Sequence, residues 1–334
     1  MGKPWKWTVD MEAAVITTYR CIQKCAMCRT WKFPTTEEEE FRPSLLEKLP
    51  RLSFCNITGG EPFLREDLSD IVAILKRKAK RIVISTNGYL TEKILRLAGE
   101  HRDVGIRVSL EGLAAVNDKL RGMSGSFDRG LQTVQELKRM KMKDIGFAMT
   151  VSDTNPGDLL DLFHLAQGLG VELATAVVHN SFYFHTSDNE LKNKEEILRN
   201  FQQLVRELLR SGKMKNWYRA YFNFGLMEYV QGHPRLLPCP AGTDVFFLDP
   251  WGEVYPCNGL EKRFWLESLG NLHRQTFQQI WHSRRAEDIR AKANRCPKNC
   301  WMIGTASPAM KRNIWRPTLW ILQNKIFPHQ QHTP

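Results

Sequence analysis

Short apolar runs take turns with longer amphipathic stretches along the first half of the chain. Residues 12–18 (EAAVITT) and 51–58 (RLSFCNIT) have the length and β-branched content of strands, and DLSDIVAILKRKAK (67–80) repeats its apolar residues at helical spacing. The same rhythm predicts strands at 81–86, 104–110, 145–151 and 171–178, and helices near 91–100, 127–140 and 156–170. Six such alternations define an α/β chain with a parallel sheet and helices outside it. Periodicity alone does not choose between an open sheet and a barrel.

The polar residues add to this. TGGEP follows the second strand, STNG ends the third, SLEG the fourth and TVSDTN the fifth, and His179-Asn180 follows the sixth. Gly and Asn at one strand end are ordinary turn formers. Here every distinctive cluster falls at the C-terminal end of a strand, the rim that carries the site in parallel α/β folds.

Beyond residue 180 the alternation stops. NKEEILRNFQQLVRELL (193–209) and KNWYRAYFNFGLMEYV (215–230) read as helices. Cys239 and Cys257 then bracket an expected hairpin that turns at Asp249-Pro250-Trp251-Gly252. The expected division is a barrel-like unit at 1–215, a smaller unit at 216–305 and a basic tail at 306–334.

The chain has 334 residues, 42% of them hydrophobic, enough for a large core, and a net charge of +12 that favours an anionic partner. No apolar run reaches the ~18–20 residues that span a bilayer, and the first ten residues lack a signal-peptide core. The expected compartment is the cytoplasm, where eight cysteines serve as metal ligands more readily than as disulfides.

Cys21, Cys25 and Cys28 stand as C-x3-C-x2-C in the loop after the first strand. Thiolates prefer soft metals and iron–sulfur clusters. Three of them on a cubane leave one iron open for a ligand; a zinc site completed from afar and unligated thiols are the other readings. Four further cysteines, Cys239, Cys257, Cys296 and Cys300, suffice for a second closed site, either a cluster or a structural zinc. Cys55 belongs to neither set. It reads as a small core residue or, more sharply, as a hydrogen-atom donor to a substrate radical.

With Cys21, Cys25 and Cys28 followed by Gly59-Gly60-Glu61-Pro62, Ser85-Thr86-Asn87-Gly88, Ser109-Leu110-Glu111-Gly112 and Arg121-Gly122, the chain resembles the radical S-adenosylmethionine (SAM) enzymes over about residues 10–180. The resemblance implies a partial (β/α)6 TIM-like barrel and a [4Fe–4S] cluster whose open iron binds SAM. It also implies reductive cleavage of SAM to a 5′-deoxyadenosyl radical. By the same resemblance Gly59, Gly60, Glu61 and Pro62 receive the SAM amino group, and Arg121 forks to its carboxylate. Ser85, Asn87, Ser109 and Glu111 supply polar contacts, and Thr150 and Val151 seat the adenine. Met27 stands where the family often has an aromatic residue, and a polarizable thioether can pack on adenine.

C-x12-G-x4-C from Cys239 through Gly252 to Cys257, then C-x3-C at Cys296 and Cys300, resembles the SPASM/twitch extensions of that family. This implies an auxiliary [4Fe–4S] cluster and an electron donor such as flavodoxin or ferredoxin. The expected reaction is hydrogen abstraction from a small anionic molecule, such as a nucleotide- or lipid-linked sugar, ending in dehydrogenation or epimerisation. The alternative is maturation of a ribosomal peptide. Nucleic acid is not an expected partner, since a binding module has no use for GGEP on the rim. His179, Tyr183 and His185 are candidate substrate contacts or proton acceptors.

The tail has no acidic residue after Asp288 but eight Lys or Arg. Trp315, Leu319, Leu322 and Ile326, widened by Trp320 and Phe327, form one helical face, with Lys311, Arg312, Arg316 and Lys325 close by. Such a segment either lies in a membrane interface or docks on its own domain.

Overall fold

The computed structural model describes residues 11–261 and 266–326. Six parallel strands, β1 (Glu12–Ile16), β2 (Phe54–Thr58), β3 (Ile82–Thr86), β4 (Gly105–Ser109), β5 (Ile145–Val151) and β6 (Glu172–Val177), lie side by side in chain order. Helices α1 (Leu68–Lys78), α2 (Thr91–Glu100), α3 (Ala114–Arg121), α4 (Ser126–Arg139) and α5 (Asp158–Leu169) fill the crossovers. This is the partial (β/α)6 barrel.

The strands obey the alternation that placed them, with boundaries shifted by a few residues. β2 starts at Phe54 rather than 51, because Leu52 leaves the ladder for an isolated bridge to Ala79. In β2, Cys55 and Ile57 are buried against the α1 side chains Ile71, Val72 and Leu75. Asn56 and Thr58, pointing the other way, bond Ser85 and Tyr183 across the interior.

Two long helices, α6 (Lys194–Arg210) and α7 (Met214–Gln231), pack on each other after the sixth strand. The hairpin follows as β7 (Val245–Leu248) and β8 (Glu253–Tyr255), joined by the short β9 (Gly270–Asn271). β7 is not a separate layer. It pairs parallel with β1, Glu12 opposite Val245, so one nine-stranded sheet runs β6-β5-β4-β3-β2-β1-β7-β8-β9. Helices α8 (Phe277–Trp281), α9 (Arg284–Asn294), α10 (Ile303–Arg312) and α11 (Trp315–Ile326) complete the described chain.

The boundaries expected at 215 and 305 fall inside α7 and α10. Composition shifts there, but hydrogen bonding continues. The tail segment expected as one helix over 311–327 is broken at Asn313. Pro317, which has no N–H to give, occupies the first turn of α11.

Candidate active site

The loop after β1 is held from three sides. Gly60 N donates to Thr18 O (2.7 Å) and Glu61 N to Arg20 O (2.8 Å). Lys24 N and Ala26 N donate to Arg121 O and Leu120 O at the end of α3. The stretch leading into the loop is tied to buried Glu40, which accepts from Thr18, Thr35 and Arg20. The glycines are needed for this approach. A Cβ on Gly59 would lie 2.5 Å from Thr18 O, and one on Gly60 2.1 Å from Arg20 O. The loop presents Cys21, Cys25 and Cys28 as free, half-buried thiols. Burial pushes Cys21 up to about 12 and raises the other two. A metal centre is what would hold three such groups together as thiolates.

The polar residues of the rim form one network. Arg121 Nη2 pairs with buried Glu111 (3.0 Å); Nη1 donates to Gln23 Oε1 (2.9 Å) and approaches Cys25 Sγ (3.8 Å). The second Glu111 oxygen accepts from Thr150 N (2.7 Å). Glu61 accepts from Thr86 Oγ1, Asn87 N and Phe63 N, and burial still lifts its carboxyl to about 6. Two buried donors have no protein partner, Arg121 Nε and Asn87 Nδ2. An orphaned pair of N–H donors beside three thiols fits an anionic ligand at this rim.

The structure redistributes the expected contacts. Both oxygens of Glu61 and of Glu111 already accept from protein, so these carboxylates clasp the rim together. Arg121 keeps only Nε free, so a two-pronged fork to a ligand is not available without giving up Glu111 or Gln23. Ser85 Oγ bonds Asn56 Oδ1 (3.1 Å), and Ser109 ends β4 half-buried. The Thr150 and Val151 carbonyls are taken by Asn155 Nδ2 and Val178 N, and the Val151 side chain is buried. Pro62 is buried at the start of a 3-10 turn. Met27 is half-buried, and its carbonyl accepts from Asn189 Nδ2 (3.3 Å). Cys55 as a radical quencher is corrected: it faces the helices within the core, away from the interior.

Among the rim residues after β6, Tyr183 is buried and donates to Gly59 O (2.7 Å), so it supports the glycine loop. His185 stacks on Phe33, with ring centroids 4.6 Å apart. His179 is half-buried and kept neutral, its imidazolium pushed down to about 4 by desolvation of the ring. Its Nδ1 faces Val177 O (3.3 Å), which assigns the proton there, and buried Nε2 has no protein partner.

Cys239, Cys257, Cys296 and Cys300 line a single cavity of about 700 Å³, together with Arg235 and Lys298. Burial raises Cys257 well above the usual thiol range and Cys300 to about 11. Among the described residues no three His, Cys, Asp or Glu side chains converge closely enough for a single metal ion. Four thiols spread around a wall suit a polyatomic cluster better than one zinc. Lys298, inside the C-x3-C loop, pairs with buried Glu261 and donates to Gly259 O (2.8 Å) and Asn180 O (3.1 Å). Asn180 and Asn189 bond each other, and Asn189 reaches Met27. The two cysteine loops are thus bridged through Asn180 and Asn189. Sequence reasoning passed over Gln23, Asn189 and Lys298. Only Lys298, a lone cation between two cysteines, left a local signal.

Three thiols with orphaned donors at a barrel rim, and four more around a second cavity, suit a protein of two iron–sulfur centres. The Radical SAM superfamily model matches residues 15–166, and the SPASM iron-sulfur cluster-binding domain matches 239–302. The chain belongs to the radical SAM enzymes and carries a C-terminal SPASM domain. Its cofactors are accordingly a [4Fe–4S] cluster, SAM and an auxiliary iron–sulfur cluster. It is 25% identical to the Fe-coproporphyrin III synthase of Methanosarcina barkeri, over 92% of this chain and 87% of that protein. It is 24% identical to the antilisterial bacteriocin subtilosin biosynthesis protein AlbA of Bacillus subtilis, over 88% of this chain and 65% of that one. SuiB of Streptococcus suis, solved with S-adenosylmethionine, shares the fold with a TM-score of 0.65 at 13% identity, over 85% of this chain and 68% of SuiB.

Proposed function

We propose that the chain catalyses a net two-electron oxidation of a carboxylate-bearing small molecule. The observation that carries this is the ring of four cysteines around one cavity. With four thiolates on a [4Fe–4S] auxiliary cluster no iron stays open for substrate, and electron acceptance is the role left to it. Cys21, Cys25 and Cys28 would hold the first cluster, which would supply the electron for reductive cleavage of SAM and so the hydrogen-atom abstraction from substrate. Arg121 Nε and Asn87 Nδ2 are the donors offered to SAM. Cys239, Cys257, Cys296 and Cys300 would hold the auxiliary cluster, which would accept the second electron, and neutral His179 Nε2 is the candidate acceptor for the proton released with it. Epimerisation would need a hydrogen-atom donor facing the interior, and Cys55 faces the core instead.

Charge of +12 suits an anionic substrate. A tetrapyrrole carboxylate is the first class to test, because the likeness to Fe-coproporphyrin III synthase runs over most of both chains. A peptide is the second reading, favoured by the likeness to AlbA. Sugars, suggested by charge alone, gain no support from these relatives.

The test starts from anaerobically reconstituted protein holding about eight irons per chain, as two cubanes require. Cys25→Ala should abolish formation of 5′-deoxyadenosine. Cys296→Ala should keep reductive SAM cleavage but lose oxidised product and the reduced-auxiliary signal in electron paramagnetic resonance. Coproporphyrin III and its iron complex are the first probes, followed by visible absorbance and product mass. Full product formation by Cys296→Ala would reject the oxidative role.

A further inference from the structure

Helix α11 has two apolar faces, and only one is used. Pro317 and Ile321 are buried, Trp320 stacks on Phe224 of α7 with centroids 4.9 Å apart, and Thr318 Oγ1 bonds Tyr218 of α7 (2.9 Å). Trp320, expected on the outer stripe, is part of this docked face, and Phe327 lies outside the described residues. The outer stripe is Trp315, Leu319, Leu322 and Ile326, which are 56%, 50%, 49% and 63% exposed. These positions follow one another by four, three and four residues, so they share one side of the helix. A docked helix that keeps a second continuous apolar stripe in water carries a cost that a structural role does not require.

The surroundings of the stripe are basic. Arg316 flanks the stripe, over the Trp315 ring at 5.2 Å and donating to Leu236 O (3.1 Å), and Lys325 near its end sits over the Trp217 ring at 4.0 Å and bonds Leu209 O (2.9 Å). That bond brings the α6–α7 turn alongside, with Lys213, Lys215 and Met214, itself 64% exposed. At the other end Lys311 and Arg312 remain more than half exposed while pairing with Glu12 and Asp244. Among the described residues no helix is long and apolar enough to cross a membrane.

We infer that α11 is a membrane-surface helix, which holds this face of the protein on an anionic bilayer. The apolar stripe enters the headgroup boundary, Trp315 sits at the interface, and the flanking Lys and Arg meet anionic headgroups. Glu12 opens β1, and α6 ends beside Lys325, so this face belongs to the N-terminal rim of the barrel, away from the loop of Cys21. The helix therefore tethers the enzyme without covering the rim where SAM binds. It does not depend on the substrate class proposed above.

The test uses the full-length, cluster-loaded protein and co-sedimentation with vesicles. Vesicles of phosphatidylcholine with phosphatidylglycerol should bind it, and binding should fall steeply between about 0.05 M and about 0.5 M salt. Phosphatidylcholine vesicles should bind it weakly. Trp315→Ala with Leu319→Ala should weaken binding by about tenfold or more, because both apolar contacts are lost. The same variant should keep its iron content and nearly its melting temperature, since both residues are at least half exposed and outside the core. Absence of binding at low salt, or equal binding by the double variant, would overturn the inference. So would a self-associated protein that the double variant converts to monomer and that does not bind vesicles; the stripe would then be an interface between copies.

Discussion

Gly60→Ala tests the approach of the GGEP loop to the cysteine loop. An added Cβ would stand 2.1 Å from Arg20 O, 2.7 Å from Arg20 C and 2.9 Å from Tyr19 O. All three are backbone atoms, so no rotamer relieves the clash. Ordinary contacts start near 3.4 Å, so the strands of the loop must part by about 1 Å or more. The bonds Gly60 N to Thr18 O and Glu61 N to Arg20 O, 2.7 and 2.8 Å long, do not survive that. Two buried bonds and the accompanying strain come to roughly 2–4 kcal/mol. The damage is local, one residue before Cys21. The variant should lose most 5′-deoxyadenosine formation and the SAM-dependent change in the cluster's paramagnetic spectrum, while keeping the auxiliary cluster. Gly168→Ala is the control: it lies in α5 with nothing within 4 Å of the added methyl, and should be neutral or stabilising by up to about 1 kcal/mol. A Gly60→Ala enzyme that cleaves SAM at the normal rate and melts at the normal temperature would refute the reasoning.

Lys298→Met keeps roughly the length of the side chain but removes the cation shared by Glu261, Gly259 O and Asn180 O. Losing one partner of a buried pair costs about 3–5 kcal/mol, so iron should drop toward the content of one cluster while substrate-free SAM cleavage persists; unchanged iron would show that Lys298 only decorates the loop. Asp249 is buried, and burial lifts its carboxyl from the ordinary 3.8 to about 7. A raised carboxyl means the folded state holds its proton longer, so stability is lost as pH climbs from about 4 to about 7. Asp249→Asn can still accept from Trp251 N and Glu253 N. Its melting temperature should gain on the parent's across that pH range, and parallel curves would show that Asp249 does not titrate there.

Much of the barrel was legible because each strand is short, apolar and ended by a polar cluster, as at Thr58-Gly59 and Ser109-Leu110. Those signals are local. The pairing of β7 with β1 was not legible, since it joins residues more than two hundred positions apart through backbone bonds that leave no side-chain pattern. The cysteines were readable as sets from spacing. The roles of Glu61 and Glu111 were not: a carboxylate at a rim reads as a ligand contact until its donors, here Asn87 N and Thr150 N, are seen to come from the protein. The tail stripe was read correctly at Trp315, Leu319, Leu322 and Ile326, but Trp320 turned inward to stack on Phe224, which no helical projection can foresee.

The parallel pairing of β1 and β7 also fixes one part of the chain against the other. The Cys21 loop follows β1, and Cys239 and Cys257 flank the β7–β8 hairpin, so both cysteine sets hang from one hydrogen-bonded ladder. Outside the sheet, Lys298, Asn180, Asn189 and Met27 tie the two loops together a second time. Because that ladder has no hinge within it, electron transfer need not wait for one part of the chain to swing toward another. Its rate should be indifferent to solvent viscosity.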